Sequence, residues 1–207
     1  MNKDTTRHHE PKCVIWLLSV QGILLVLMFA FAPLAWHMVL FSDIYTHGVW
    51  RADHASDPLY TRRCVLVIFG LLASLATLLL AAISIMLSRK KRTIALAVAF
   101  ALCAMVVGWR MYPYWATGVF NATGGTIKTG AFDPKALIPM VWIRDLWRIP
   151  ILMLHLGTFI GIPVSLIFAL LDLGNRRWAT VIITLTCHAV TLASYLSAPN
   201  YSYWLID

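Results

Sequence analysis

Long apolar runs alternate with short polar or glycine-rich stretches along the 207-residue chain. A helix needs about 20 mainly apolar residues to cross the hydrocarbon core of a bilayer. The first run exceeds that length, and tilt or a kink at Pro33 can absorb the excess. A cleaved signal peptide ending near residues 30–32 is the alternative for this run, but the run continues past that point. The predicted transmembrane helices cover residues 13–41, 64–88, 93–114, 150–173 and 178–198.

A different pattern precedes the fourth run. Between residues 136 and 148, apolar residues recur at three- and four-residue steps, interrupted by Arg144, Asp145 and Arg148. This pattern is typical of a short amphipathic helix that lies in the membrane interface. Pro150 suits the first turn of a new helix, because its missing N–H costs nothing there. We therefore expect an interfacial helix separate from the fourth span, within a single all-α transmembrane domain covering residues 1–207.

Composition agrees with a membrane protein. Hydrophobic residues make up 60% of the chain and charged residues 13%, and the mean hydropathy is +0.75, whereas about 25% charged residues are usual in soluble domains. The net charge of +8 is not gathered on a soluble module, which argues against nucleic acid as a partner. The cysteines form no C-x-x-C pair and predict neither a disulfide framework nor a zinc site. They are Cys13, Cys64, Cys103 and Cys187.

The positive charges predict the orientation in the membrane. Four consecutive cations, Arg89, Lys90, Lys91 and Arg92, stand between the second and third runs, and Arg176 and Arg177 lie between the fourth and fifth. Short basic loops stay on the cytoplasmic side. The sequence therefore predicts a multi-pass protein of the cell inner membrane, with its amino terminus in the cytoplasm and its carboxyl terminus outside.

Polar residues inside the spans are the candidates for chemistry, because ionisable groups within a membrane are costly. His37, Arg110 and His155 each lie about one helical turn from the outer end of a predicted span. Two imidazoles can ligate haem iron axially, and an arginine can pair with a propionate or hold a quinone carbonyl. These residues are the predicted cofactor-binding set. The alternative is that they reach the interface or bond to backbone carbonyls.

Two further sets of residues raise weaker hypotheses. Asp43, His47 and His54 lie in the first outer loop and offer ligands suited to copper or zinc, with an ordinary solvated loop as the alternative. His188 lies midway along the fifth run, on the helical face of Thr184 and Thr191. It is interpreted as a packing residue, with a proton relay as the alternative.

Small residues in the fourth span indicate close packing on another helix. Gly157 and Gly161 form a G-x-x-x-G pair, which lets helix backbones approach closely. Standard enzyme motifs are absent from the sequence. The leading prediction is therefore a non-enzymatic accessory, regulatory or assembly subunit, bound in the bilayer to a membrane-protein partner or to copies of itself. The alternatives are a b-type haem or quinone-binding electron-transfer subunit and a small transporter component that acts as an oligomer.

Overall fold

The computed structural model describes residues 11–40, 58–88, 90–110, 141–173 and 178–196. The regular elements in these segments are all helical, so the prediction of an all-α bundle is confirmed. In chain order they are α1 (Lys12–Leu40), α2 (Pro58–Leu87), α3 (Lys91–Arg110), α4 (Val141–Leu156), a π-helical turn (Gly157–Gly161), α5 (Ile162–Leu173) and α6 (Trp178–Leu196).

The helices are long and apolar enough to cross a membrane. Within the described segments, four apolar stretches have the required length, and α6 contributes a shorter one, Trp178–Ser194. The protein is therefore a multi-pass membrane protein. The four longer stretches are Lys12–Ala32, Ile68–Leu87, Lys91–Trp109 and Arg148–Leu171.

The structure differs from the sequence prediction at Pro150. Instead of beginning a new helix, Pro150 lies inside α4, and Val141 to Arg148 form the first turns of that same helix. Ending the helix would leave several backbone groups unbonded in lipid, whereas continuing it loses one backbone hydrogen bond. The amphipathic segment therefore extends the fourth span rather than forming a separate interfacial helix. Residues 136–140 lie outside the described residues.

A π-helical turn, Gly157–Gly161, lies at the junction of α4 and α5. Ile162 donates its backbone N–H to the carbonyl of Gly157, five residues earlier. Pro163 follows at once and has no N–H to donate to the preceding turn. The wider π-helical turn therefore accommodates this proline without interrupting the span.

Helix α3 lies at the centre of the bundle. Within its apolar stretch, 78% of the residues are buried, against 22–39% in the other three long stretches. Every residue from 101 to 109 is buried, and helices α1, α2, α4, α5 and α6 all pack on α3. Small side chains let these neighbours approach the α3 backbone closely. The buried alanines of α3 are Ala95, Ala97, Ala99, Ala101 and Ala104.

The packing contacts fix the direction of each helix. Leu18, near the start of α1, packs on a cluster that contains Ala97, in the first half of α3, and Ala101, at its middle. Val181, near the start of α6, clusters with Ala95 of α3. Helices α1, α3 and α6 therefore run in the same direction, and α2 and α5 run opposite to them. One end of the bundle, here called the basic end, carries Lys12, Lys90, Lys91 and Arg92.

Candidate functional site

The predicted cofactor residues lie on three helices. His37 is in the last turn of α1, and Arg110 is the last residue of α3. Because α1 and α3 run in the same direction, both positions lie toward the end opposite the basic end. The side chains of these two residues lie outside the described part.

His155 lies in α4 and is half-buried. It follows Ile151 and Leu154, which belong to the central apolar cluster. Helices α1 and α4 each pack on α3, and within the described segments they share no extensive contact with each other. A shared cofactor layer of His37, Arg110 and His155 remains a prediction.

The predicted metal ligands Asp43, His47 and His54 lie outside the described residues, and so does Arg89 of the basic tetrad. Elsewhere, among the residues that are described, no group of three or more His, Cys, Asp or Glu side chains is placed to hold a metal ion. The metal site in the first outer loop thus remains a prediction.

Gly157 and Gly161 face α3 of the same chain. A Cβ atom added at Gly157 would collide with Leu102 Cδ2 and lie 3.2 Å from Leu102 Cγ. A Cβ at Gly161 would lie 3.3 Å from Val98 Cγ1. The helix that approaches these glycines is therefore internal, so they serve the packing of this chain rather than contact with a second protein.

The inward face of α6 is the most polar surface inside the described bundle. Small polar side chains recur along it at three- and four-residue steps and are buried against the neighbouring helices. Helix α6 is in contact with α3 and α5, so this face lies between those helices. We call it the α6 polar face, and its members are Thr180, Thr184, Cys187, His188, Thr191 and Ser194.

His188 is the histidine of this face. At a rise of about 1.5 Å per residue, it lies about 15 Å along α6 from Trp178, which is half the thickness of a hydrocarbon core of about 30 Å. The side chain is 2% exposed, and its Nε2 lies 2.5 Å from Oγ of Ser165, a fully buried residue of α5. This hydrogen bond joins α5 to α6 at mid-membrane depth.

Two buried polar atoms on the α6 polar face lack partners. His188 Nδ1 and Thr184 Oγ1 make no hydrogen bond within the part of the chain that the structure describes. An unsatisfied buried polar group costs about 1–3 kcal/mol. Thr191, by contrast, donates its hydroxyl to the carbonyl of Cys187 at 2.8 Å.

The α6 polar face also brings two thiols together. Cys187 is hydrogen-bonded to Cys103 of α3, and both thiols are free and buried. The pair ties α6 to the central helix at nearly the same depth as His188.

A serine hydroxyl at a histidine nitrogen also satisfies the first geometric requirement of a nucleophile and its base. Such a pair needs a third group to orient the histidine and a path by which substrate reaches the serine. Ser165 is fully buried, and His188 Nδ1 bonds to no group in the described segments. The Ser165–His188 contact joins α5 to α6, and within the described segments it meets only the first of these requirements.

Sequence reasoning identified His188, Thr184 and Thr191 but missed Ser165 and the thiol pair. A single serine in an apolar span carries no sign of which helix it faces. The sequence does show, however, that hydroxyl and thiol residues recur at helical spacing on α6. Such spacing places them on one face of the helix.

Comparisons of the chain with protein-family models, curated proteins and solved structures gave no match.

Proposed function

We propose that the protein is a non-enzymatic accessory, regulatory or assembly subunit of a membrane complex. It binds another transmembrane helix, from a partner subunit or from a second copy, through the outer face of α6. Because the other described helices enclose α3, a partner helix would bind on the outside of the bundle.

The observation that carries the proposal is a strip of small side chains on the outside of α6. Thr186, Ala189 and Ala193 are exposed and share one face of the helix, between the exposed side chains of Ile182 and Leu196 at its two ends. In lipid, apolar surface alone does not drive helix association, whereas small residues allow close backbone contact and threonine can bond across the interface. Other outward faces carry large apolar side chains suited to lipid, among them Phe159 and Leu79.

The proposed location is the cell inner membrane, with the basic end in the cytoplasm. Lys90, Lys91 and Arg92 lie at the same end of the bundle as Lys12, so one orientation puts all four on the side that retains short basic loops. A reporter fused after residue 90 should remain cytoplasmic, and its export would contradict this orientation.

The experiment that tests the subunit function enlarges the strip on α6. Ala189→Leu and Ala193→Leu should each convert the native complex to the free chain on native electrophoresis from a mild detergent, because the added side chain separates the two helices. Ala82→Leu is the matched control, since Ala82 is exposed on α2. Unchanged migration of both α6 variants would contradict the proposal.

A transporter component acting as an oligomer is the second candidate, and the α6 polar face favours it. Hydroxyl groups and one imidazole at mid-membrane depth are the groups that line ion and proton pathways. Ion or proton flux into proteoliposomes that falls with His188→Ala would support this candidate. Flux equal to that of empty vesicles would reject it.

A haem or quinone-binding subunit is the remaining candidate. It is supported by the placement of His37 and Arg110 toward the same end of parallel helices. A reduced-minus-oxidised absorption spectrum of the purified protein tests for haem. A sharp b-type band that disappears in His37→Ala and His155→Ala would support it, and a flat spectrum would exclude haem as the bound group.

A further inference from the structure

We propose that His188 and Thr184 bind an internal water molecule at mid-membrane depth, on the α6 polar face. This inference is independent of the subunit function proposed above, because it concerns the interior of the bundle. It rests on two buried polar atoms of side chains one helical turn apart, each without a partner in the described segments.

The two atoms belong to side chains one helical turn apart. Thr184 and His188 are at positions i and i+4 of α6, so their Cβ atoms are about 5–6 Å apart on one face. Two hydrogen bonds of about 2.8 Å that meet at one water oxygen at a near-tetrahedral angle join polar atoms about 4.5 Å apart. Polar atoms of two side chains one helical turn apart can reach such a separation, so a single water can join His188 Nδ1 to Thr184 Oγ1.

Both His188 and Thr184 are buried, so their unbonded polar atoms need a hydrogen-bond partner inside the bundle. Thr184 is 0% exposed and His188 2% exposed, so neither atom reaches bulk water. Thr191 lies on the same face and is equally buried, but its hydroxyl is satisfied by the Cys187 carbonyl. Buried polar groups without protein partners are the places where internal waters bind.

Water also fits the chemistry of the histidine in either tautomer. If Ser165 donates to Nε2, then Nδ1 carries the proton and donates to the water. If Nε2 donates to Ser165, then Nδ1 accepts a hydrogen bond from the water. In both cases the Thr184 hydroxyl supplies the complementary role, because a hydroxyl both donates and accepts. The result is a continuous chain from Ser165 through His188 and the water to Thr184.

Solid-state NMR of the full chain in proteoliposomes tests the proposal. The protein is labelled with ¹⁵N-histidine, and magnetisation transfer from water to each imidazole nitrogen is recorded. The signals of His188 are assigned by their loss in His188→Gln. We expect transfer to His188 Nδ1 in the wild-type protein, even though the side chain is buried.

The matched variants locate the water. Thr184→Val removes the hydroxyl with little change of shape and should abolish the transfer, whereas Thr184→Ser should retain it. Thr191→Val is the control and should retain it as well. Absence of transfer in the wild-type protein would overturn the proposal without any variant, and transfer that persists in Thr184→Val would overturn the role of Thr184.

Discussion

The contact between α2 and α3 gives the sharpest test of the packing. Gly108 of α3 lies directly against α2: a Cβ added there would collide with Ser74 Oγ, lie 2.8 Å from the carbonyl oxygen of Gly70 and lie 2.9 Å from Met28 Cε. Ser74 already donates its hydroxyl to that same Gly70 carbonyl at 2.7 Å. Gly108→Ala therefore forces backbone, and not only flexible side chains, to move.

The magnitude follows from three contributions. Overpacking a tight core costs about 1–3 kcal/mol. Loss of the Ser74 hydrogen bond, which lies within α2, adds about 0.5 kcal/mol, the low end for intramolecular hydrogen bonds. Greater helix propensity of alanine offsets about 1 kcal/mol. The free energy of unfolding of Gly108→Ala should thus fall by about 0.5–2.5 kcal/mol.

Gly22→Ala is the matched control for this substitution. Gly22 lies in α1, and the nearest atom to an added Cβ is Phe100 Cε2 at 4.0 Å, an ordinary van der Waals distance. This variant should be as stable as the wild-type protein, or more stable by up to about 1 kcal/mol. Unfolding by SDS in mixed micelles, followed by tryptophan fluorescence, measures both. Equal stability of Gly108→Ala and the wild type would refute the close approach of α2 and α3.

Three further predictions concern other described residues. Gln21→Leu should change the free energy of unfolding by less than about 1.5 kcal/mol in the same assay. The substitution loses the hydrogen bond from Gln21 Nε2 to the Thr77 carbonyl, but it also removes the buried Oε1, which has no partner in the described segments. A larger loss of stability would contradict this balance. Gly157→Ala should cost less than Gly108→Ala, since the obstacle is the end of the Leu102 side chain; the reverse order would contradict the contact. In a Cys64→Ser background, maleimide should label Cys13 in the folded protein, because Cys13 is exposed, whereas the buried Cys103 and Cys187 should react only after unfolding. Mass spectrometry of the labelled protein measures this, and labelling of Cys103 or Cys187 in the folded protein would contradict their burial.

The membrane spans were predictable because lipid constrains them so strongly. Backbone groups in hydrocarbon must bond within their own segment, so an apolar run of sufficient length becomes a helix whatever packs beside it. Helices α1 and α3 accordingly begin near residues 13 and 93, where the predicted spans start. The turn between α2 and α3 is short because the basic tetrad is nearly all that separates two apolar runs.

The sequence prediction was wrong at Pro150, where the need for bonded backbone groups in lipid outweighs the local preference of proline for the start of a helix. Pro150 would end many helices in water, but in this chain it lies inside α4. The central place of α3 was also beyond the sequence analysis, because burial depends on all its neighbours together. In retrospect, the alternating alanines from Ala95 to Ala101 carry this signal, since they leave room for helices on several sides.

Small residues show why the candidate interface differs between sequence and structure. Gly157 and Gly161 predicted close approach, but a sequence motif does not distinguish a helix of the same chain from one of a partner. The structure assigns that approach to α3 and leaves Ala189 and Ala193 exposed on the outside of α6. Enlarging an inward glycine should therefore lower the stability of the single chain, whereas enlarging an outward alanine should weaken only the proposed complex. The two kinds of variant therefore distinguish an effect on folding from an effect on assembly, because the glycines face the inside of the bundle and the alanines face the outside.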